Sequence, residues 1–310
     1  MKRRVVMRGP STLGVSLPSK WVKSRGIKKG DEIDLIEVDG NILIGTEKEA
    51  ISETVIHIPT KEIPLDKDKY PDRYSVRTIV INALRKGQNK IKITFDSPKV
   101  LTTISSCVDE VLGYEITEQN SEQCIIDNVI NLIEIDLKKH FVKFRHVITN
   151  FASLIKENIV DKKENFEEVK STFLMVEKNY NTFCRFLMNN CQYQTREKIF
   201  LFEAVAHLYQ ASRNMFYASK LYNGSNFKLS RPASEYIKEV FGYVDKVIQF
   251  VASKDLGMIA DLNIQKNKLT YHELNKIIAK NSKENPIILQ LSFAARRMWD
   301  SVGPYVGNII

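Results

Sequence analysis

Lys2, Arg3, Arg4, Arg8, Lys20, Lys23, Arg25, Lys28 and Lys29 all precede Asp31, the first acidic residue of the chain. Cationic groups crowded together without carboxylates create a local field that attracts a polyanion. Arginine adds a planar fork of donors suited to phosphate or to the edge of a guanine. The 310-residue chain has a formal charge of +9. Its excess sits in this stretch, which indicates a local polyanion site and not a uniformly basic surface. A basic N-terminus can also do no more than keep a chain soluble.

No other set of residues competes as chemistry. His57, His140, His146, His207 and His272 show no zinc-ligand clustering. Cys107, Cys124, Cys184 and Cys191 include no C-x-x-C pair, so reduced core thiols are expected, not disulfides or a metal site. The chain has no nucleotide-binding loop, nucleophile elbow or His-Glu-x-x-His pair. Neither an enzyme nor a cofactor is expected.

The elements that must position the basic residues follow from local signals. Arg4 to Met7 and Thr12 to Ser16 read as short strands, with Gly9, Pro10 and Ser11 turning between them. Pro18 suits the first position of a helix, where its missing N–H costs nothing. Trp21 and Val22 would face inward, and Gly26 would end the helix in a left-handed conformation. Ile27 to Asp31 reads as a turn and Glu32 to Val38 as a strand. Asp39-Gly40 is a hairpin signal, because a type I′ turn needs positive φ at both central residues, and Asn41 to Gly45 is the returning strand. A domain this small buries too little surface to be stable alone, so the rest of the chain or a second copy must cover it.

The run from Arg8 to Glu32 resembles the AbrB/MazE family of swapped-hairpin β-barrel DNA-binding domains. The matching residues are Arg8, Ser11, the Val15-Ser16-Leu17-Pro18-Ser19-Lys20-Trp21 core, and Gly26-Ile27-Lys28-Lys29-Gly30-Asp31-Glu32. The resemblance implies that two chains interleave hairpins into one barrel. It also implies that Arg3, Arg4 and Arg8, with Lys20, Lys23 and Arg25, contact double-stranded DNA.

Beyond residue 48 the pattern changes twice. Val55 to Pro59 reads as a strand, and Pro64, Pro71 and Asp66-Lys67-Asp68-Lys69 as a connector. Helical spacing runs from Arg73 to Arg85, where Gly87 closes it, and Lys90 to Phe95 alternates as a half-buried strand. A second helix is expected from Ser97-Pro98 through Leu112, then strands at Tyr114 to Thr117 and Gln123 to Asp127. After Asn128, apolar residues step by three and four along long helices, as in Phe141, Phe144, Ile148, Phe151 and Ile155. Three such helices, a break at Asn223-Gly224 and Pro232, and three more make an architectural repeat. Leu256 to Asn281 is the weaker helix of the second set. Gly303-Pro304 is expected to kink or interrupt the last one.

Tandem three-helix bundles are similar to the PhoU family of phosphate-signalling proteins, and the whole order resembles archaeal AbrB–PhoU fusion regulators. The fold expected is multi-domain α+β: a dimeric swapped-hairpin barrel at 1–48, a small α/β unit at 49–127, and PhoU-like three-helix bundles at 128–223 and 231–310. The PhoU resemblance implies E/D-x-x-x-D metal motifs, which place two carboxylates one helical turn apart. Here Arg296 stands four residues before Asp300, and Ala206 to Ala218 holds no carboxylate. Glu203 with His207, and Glu177 with Asn181, have only the spacing. No metal is expected.

These readings converge on a homodimeric DNA-binding regulator linked to phosphate uptake or homeostasis. The alternative is a PhoU-like adaptor that docks a phosphate transporter or signalling kinase, with the barrel serving only to dimerise. No apolar run is long enough to span a bilayer and no signal-peptide core follows Met1-Lys2-Arg3-Arg4, so membrane insertion is not expected and a cytoplasmic location is.

Overall fold

The structure is a computed structural model that describes residues 2–38, 41–45, 53–58, 73–130, 136–189, 195–226, 228–278 and 283–310. It divides into two compact units, Met1–Glu53 and Thr54–Ile310. The expected turn at Asp39-Gly40, the connector through Asp66–Lys69, and Cys191 lie outside the described residues.

The first unit comprises β1 (Val5–Met7), β2 (Leu13–Val15), α1 (Ser19–Ser24), β3 (Asp34–Val38) and β4 (Asn41–Gly45). β1 and β2 pair antiparallel, with Val5 opposite Val15 and Met7 opposite Leu13. The Arg8 N–H donates to the Thr12 carbonyl at 2.8 Å and closes the three-residue loop Gly9, Pro10 and Ser11. β3 and β4 pair antiparallel from Asp34 opposite Gly45 to Val38 opposite Asn41.

Pro18 is not the first helical residue but the cap before it, with extended backbone at φ −64° and ψ 124°, and its carbonyl accepts the first helical bond from Val22. At the other end Gly26 has φ +64°. Its N–H bonds to the Lys23 carbonyl and that of Ile27 to the Val22 carbonyl. This double bond pattern requires a left-handed residue, which glycine adopts without strain.

The second unit begins with a sheet of β5 (Glu53–Ile58), β6 (Lys90–Phe95), β7 (Tyr114–Gln119) and β8 (Gln123–Asn128), in the order β5-β6-β8-β7. The helices α2 (Arg73–Lys86) and α3 (Leu101–Asp109) supply Val80, Leu84, Ile104 and Cys107 to a core shared with Ile91, Ile93 and Ile126 of the sheet. The helix expected from Ser97 to Leu112 is shorter at both ends. Pro98–Val100 is a 3-10 turn, and α3 stops at Asp109 because the backbone of Leu112 is held elsewhere, as described below.

Six helical segments follow: α4 (Leu137–Ile159), α5 (Phe166–Asn189), α6 (Thr195–Asn223), α7 (Arg231–Ser253), an interrupted segment, and α10 (Asn285–Ile309). The interrupted segment is a 3-10 turn at Leu256–Met258, α8 (Ile259–Asn267), a π-helical stretch at Lys268–Glu273 and α9 (Leu274–Ile278). Tyr236 Oη donates to the Leu269 carbonyl at 3.0 Å within the π stretch, satisfying a backbone group whose usual ladder is broken. α10 runs unbroken through Pro304; packing along its length, including a 2.8 Å bond from Tyr305 Oη to the Val251 carbonyl, outweighs one lost ladder bond. Buried side chains of all six segments form one continuous cluster.

α6 and α10 make the most extensive helix contact in the chain. They run antiparallel: Phe200 near the start of α6 lies against Gly307 near the end of α10. Ala204, Ala211 and Ala218 recur every seven residues on the Phe200 side of α6, and Ala294 and Ser301 are likewise buried on α10. Small side chains at this spacing let two backbones approach closely.

The sheet core and the helix core are separate clusters, and between them runs a polar seam. Glu177, Asn181, Arg185 and Asn189 step by four along α5, so they form one stripe. Arg77 of α2 pairs with Glu177 at 3.3 Å and with Glu110. Arg85 donates twice to Asn181 Oδ1, at 3.0 and 2.6 Å. Arg185 is fully buried and donates to the Leu112 carbonyl and to Asn128 Oδ1. Its guanidinium lies 3.7 Å from the Tyr114 ring centre. Thr182 Oγ1 accepts the Leu112 N–H at 3.1 Å. Asn189 fits because Gly87, at φ +77°, has no Cβ to meet its amide.

Burial pulls the Arg185 pKa down and pushes the Tyr114 phenol up to about 12. Arg185→Ala strands the Leu112 carbonyl, at about 1–3 kcal/mol for an unsatisfied buried group, leaves Asn128 Oδ1 only its bond from the Ile130 N–H, and opens a cavity that costs about 2 kcal/mol or more. A thermal or denaturant melt of the full chain is expected to show at least about 3 kcal/mol of lost stability, with Arg185→Lys intermediate because a point charge cannot reproduce the fork.

A second prediction concerns pH. His140 Nε2 lies 3.2 Å from the Asn179 carbonyl, between the rings of Phe183 and Phe186. Burial holds its pKa below the usual 6.5, against the bond to Asn179, which raises it. The unfolded chain therefore binds this proton more readily. The contribution is fully present above pH 6.5 and is lost as pH falls through the lower folded value. Melting temperatures from pH 8 to 5 should fall less steeply for His140→Phe than for the wild type.

Candidate nucleic-acid interface

The first hairpin has two chemically distinct faces. Directly paired residues share a face, and the pleat alternates along each strand. Val5, Met7, Leu13 and Val15 therefore lie together, and they are 61%, 73%, 68% and 52% exposed. Val6 and Gly14 lie on the other face, which positions 4 and 8 share by alternation. Arg4 and Arg8 thus bracket Val6, one at each end of β1, and Arg3 precedes them in coil. All three arginines are exposed.

The stem of Arg8 crosses onto β2. A Cβ placed on Gly14 would sit 2.9 Å from Arg8 Cγ and 3.7 Å from Arg8 Nε. Glycine inside a strand commonly marks such a close approach.

α1 carries the second basic group. Lys20 and Lys23 are one turn apart and exposed, while Trp21, Val22 and the cap residue Arg25 are half-buried. The inward placement expected of Trp21 and Val22 is thus only partial in a single chain. Among the described residues none of Arg3, Arg4, Arg8, Lys20, Lys23 and Arg25 is in an ion pair. The nearest acid in sequence, Asp31, instead accepts the Lys28 N–H at 2.8 Å. The first thirty residues thus carry basic groups and no carboxylate of their own. The structure places Arg4 and Arg8 at the two ends of β1 and Lys20, Lys23 and Arg25 on α1 and its cap, and lays Arg8 against β2.

No described side chain of this unit is buried. Leu35 and Ile42 of the second hairpin are 64% and 68% exposed, on the face that Glu37 and Ile44 share. Among the described residues, the two hairpins and the short helix of this unit bring together no buried core of the kind a folded domain requires.

Residues 6–52 match the family MazE_antitoxin, described as antidote-toxin recognition MazE, bacterial antitoxin. The N-terminal unit is a MazE/AbrB-like domain. Such domains are modules of DNA-binding regulators or antitoxins. No curated protein and no solved structure matches the chain. Arg8, Lys20, Lys23 and Arg25 lie within the matched residues 6–52, as does the glycine under Arg8, which basic-residue spacing does not reveal; Arg3 and Arg4 precede the match.

Of the residues with metal-motif spacing, Asp300 pairs with Arg297 at 3.3 Å, while Glu203 and His207 face each other at 3.9 Å. Glu177 accepts from Tyr209 Oη at 2.9 Å and, like Asn181, belongs to the seam between the two cores. Among the described residues no three His, Cys, Asp or Glu side chains converge. Cys107, Cys124 and Cys184 are buried, and burial raises the thiol pKa of Cys124 and of Cys184 to about 11. No described helix is long and apolar enough to cross a membrane.

The uncovered apolar face of the first hairpin generates a prediction. A charge placed there, as in Leu13→Asp, is expected to abolish self-association of the full chain in light scattering at micromolar concentration. The same charge at an outward position of the helical unit, Leu174→Asp, should leave the mass unchanged. A wild-type chain that is already monomeric would contradict the expectation that a second copy covers this face.

Proposed function

We propose that the protein is a homodimeric, sequence-specific regulator that binds double-stranded DNA through a barrel built from the hairpins of two chains. The observation that carries the reading is the two-faced first hairpin. Its apolar face, Val5, Met7, Leu13 and Val15, is more than half exposed, and its other face bears Arg4 and Arg8, neither of which is in an ion pair among the described residues. A second copy covers the first face and leaves the second for DNA. Arg3, Arg4 and Arg8 then supply phosphate contacts and bidentate readout of guanine, and Lys20, Lys23 and Arg25 add phosphate contacts. The match of residues 6–52 to MazE antitoxins supports this assignment.

The helical unit receives the signal. Three long helices followed by three more, with the third of each set packed together, support a PhoU-like sensor of phosphate status. The protein acts in the cytoplasm as a regulator and not as an enzyme.

Selection of sheared genomic DNA on the purified protein, at several salt concentrations, tests the reading. Discrete recovered sites are expected. Loss of a base contact in Arg4→Ala should cost about 1–3 kcal/mol and relax discrimination at one base pair, whereas loss of a phosphate contact at Lys23 should weaken all sequences alike and lower the salt slope by about one. If alanine at positions 3, 4 and 8 leaves binding unchanged in a folded dimer, the barrel serves only to dimerise. The helical unit then acts as an adaptor for a transporter or kinase.

A further inference from the structure

Gly14 differs from the glycines whose backbone explains them. Gly26, Gly30, Gly87 and Gly113 have positive φ, where a side chain is strained. Gly14 lies in β2, in ordinary antiparallel pairing opposite Val6, and its φ is not in that region. An alanine would suit such a strand position better, because glycine loses more conformational freedom on folding and packs nothing. What occupies the space of its missing side chain is Arg8. A Cβ there would sit 2.9 Å from Arg8 Cγ and 3.7 Å from Nε, and the third near atom is the Val6 carbonyl oxygen at 3.8 Å. Two of the three close contacts therefore belong to one flexible cationic side chain.

We propose that Gly14 is a positioning residue for Arg8: the bare strand position forms a trough that lays the arginine stem across the hairpin and aims its guanidinium before any DNA is bound. The inference rests on the DNA-binding reading above for its consequence, but not for its geometry. A free arginine must give up many rotamers to make a two-pronged contact, and a stem already seated on β2 has fewer to lose. Orientation matters more for a base edge than for a phosphate, because the bidentate pair is directional. Gly14 therefore acts on discrimination between sequences and not only on affinity.

The backbone of Gly14→Ala is unstrained and the clash falls on a side chain that can swing away, so the fold and the dimer are retained. The test uses the full chain as wild type, Gly14→Ala, Arg8→Ala and the double variant. In the absence of DNA, the Arg8 Nε–H signal, assigned by its loss in Arg8→Ala, is read by 15N relaxation. It is expected to be ordered in the wild type and mobile in Gly14→Ala. A signal that is mobile in both, or ordered in both, overturns the proposal whatever the protein binds.

With DNA recovered in the genomic selection, Gly14→Ala should weaken specific binding by about tenfold, within the range of a bidentate contact, and scrambled DNA much less. In the Arg8→Ala background the same change should have no effect, within about twofold, which is the non-additivity expected of coupled residues. An equal loss in both backgrounds, or a lower melting temperature that accounts for it, assigns Gly14 a structural role and overturns the proposal. Ordered Arg8 in a protein that selects no DNA upholds the positioning geometry and removes the DNA-binding reading alone.

Discussion

A buried cation without a described carboxylate partner holds the second unit together. Arg185 lies on α5, in the helix core, yet spends its donors on Leu112 and Asn128, in the sheet layer. Guanidinium desolvation is unfavourable, and only hydrogen bonds with good geometry and a facing aromatic ring offset it. Neighbours in the stripe repeat the arrangement: Glu177 holds Arg77, Asn181 holds Arg85, and Thr182 holds the Leu112 amide. Two apolar clusters that do not merge are thereby set in one relative position. Hydrophobic contact alone, being non-directional, would allow the layers to slide. A stripe of matched donors and acceptors allows one register.

The N-terminal unit shows the opposite condition. Its local structure is well determined by short-range devices: the Arg8–Thr12 closure, the double C-terminal bond at Gly26, and the Lys28–Asp31 turn. Its described residues form no buried interior. In the proposed dimer its tertiary stability would come from association, and folding and assembly would then be one event that depends on protein concentration. Charge placement reinforces this division, because the basic groups of the first hairpin do not compete with its apolar face for the same ground.

The elements legible in the sequence were those specified locally. The glycine stops at Gly26 and Gly87, the break between α6 and α7, and the three-and-four stepping of the long helices all appear where those signals place them. The misread boundaries have non-local causes. α3 ends early because Leu112 is claimed by residues some seventy positions away, and α10 continues through Pro304 because its flanks are packed. The α5 stripe was invisible for the same reason: Glu177 and Asn181 have the spacing of a solvated pair, and nothing local points to Arg77 or Arg85. At the candidate interface, residue type identified the arginines. Their division between hairpin and α1 follows from the elements, but the seat of Arg8 on Gly14 depends on strand register.

The alanines between α6 and α10 have a consequence for how this chain can vary over time. Most helix pairs are spaced by long side chains, which can exchange size across the gap and leave the axes where they were. Ala204, Ala211 and Ala218 are buried on α6 with no bulk to give up, so a gain of size on the facing helix has little opposite it to shrink. Drift is therefore confined to glycine, alanine and serine along that line, while the outward faces of the same two helices are free to change. A descendant of this sequence could acquire a new signal on its surface and still measure the distance between its two helical halves with the same ruler.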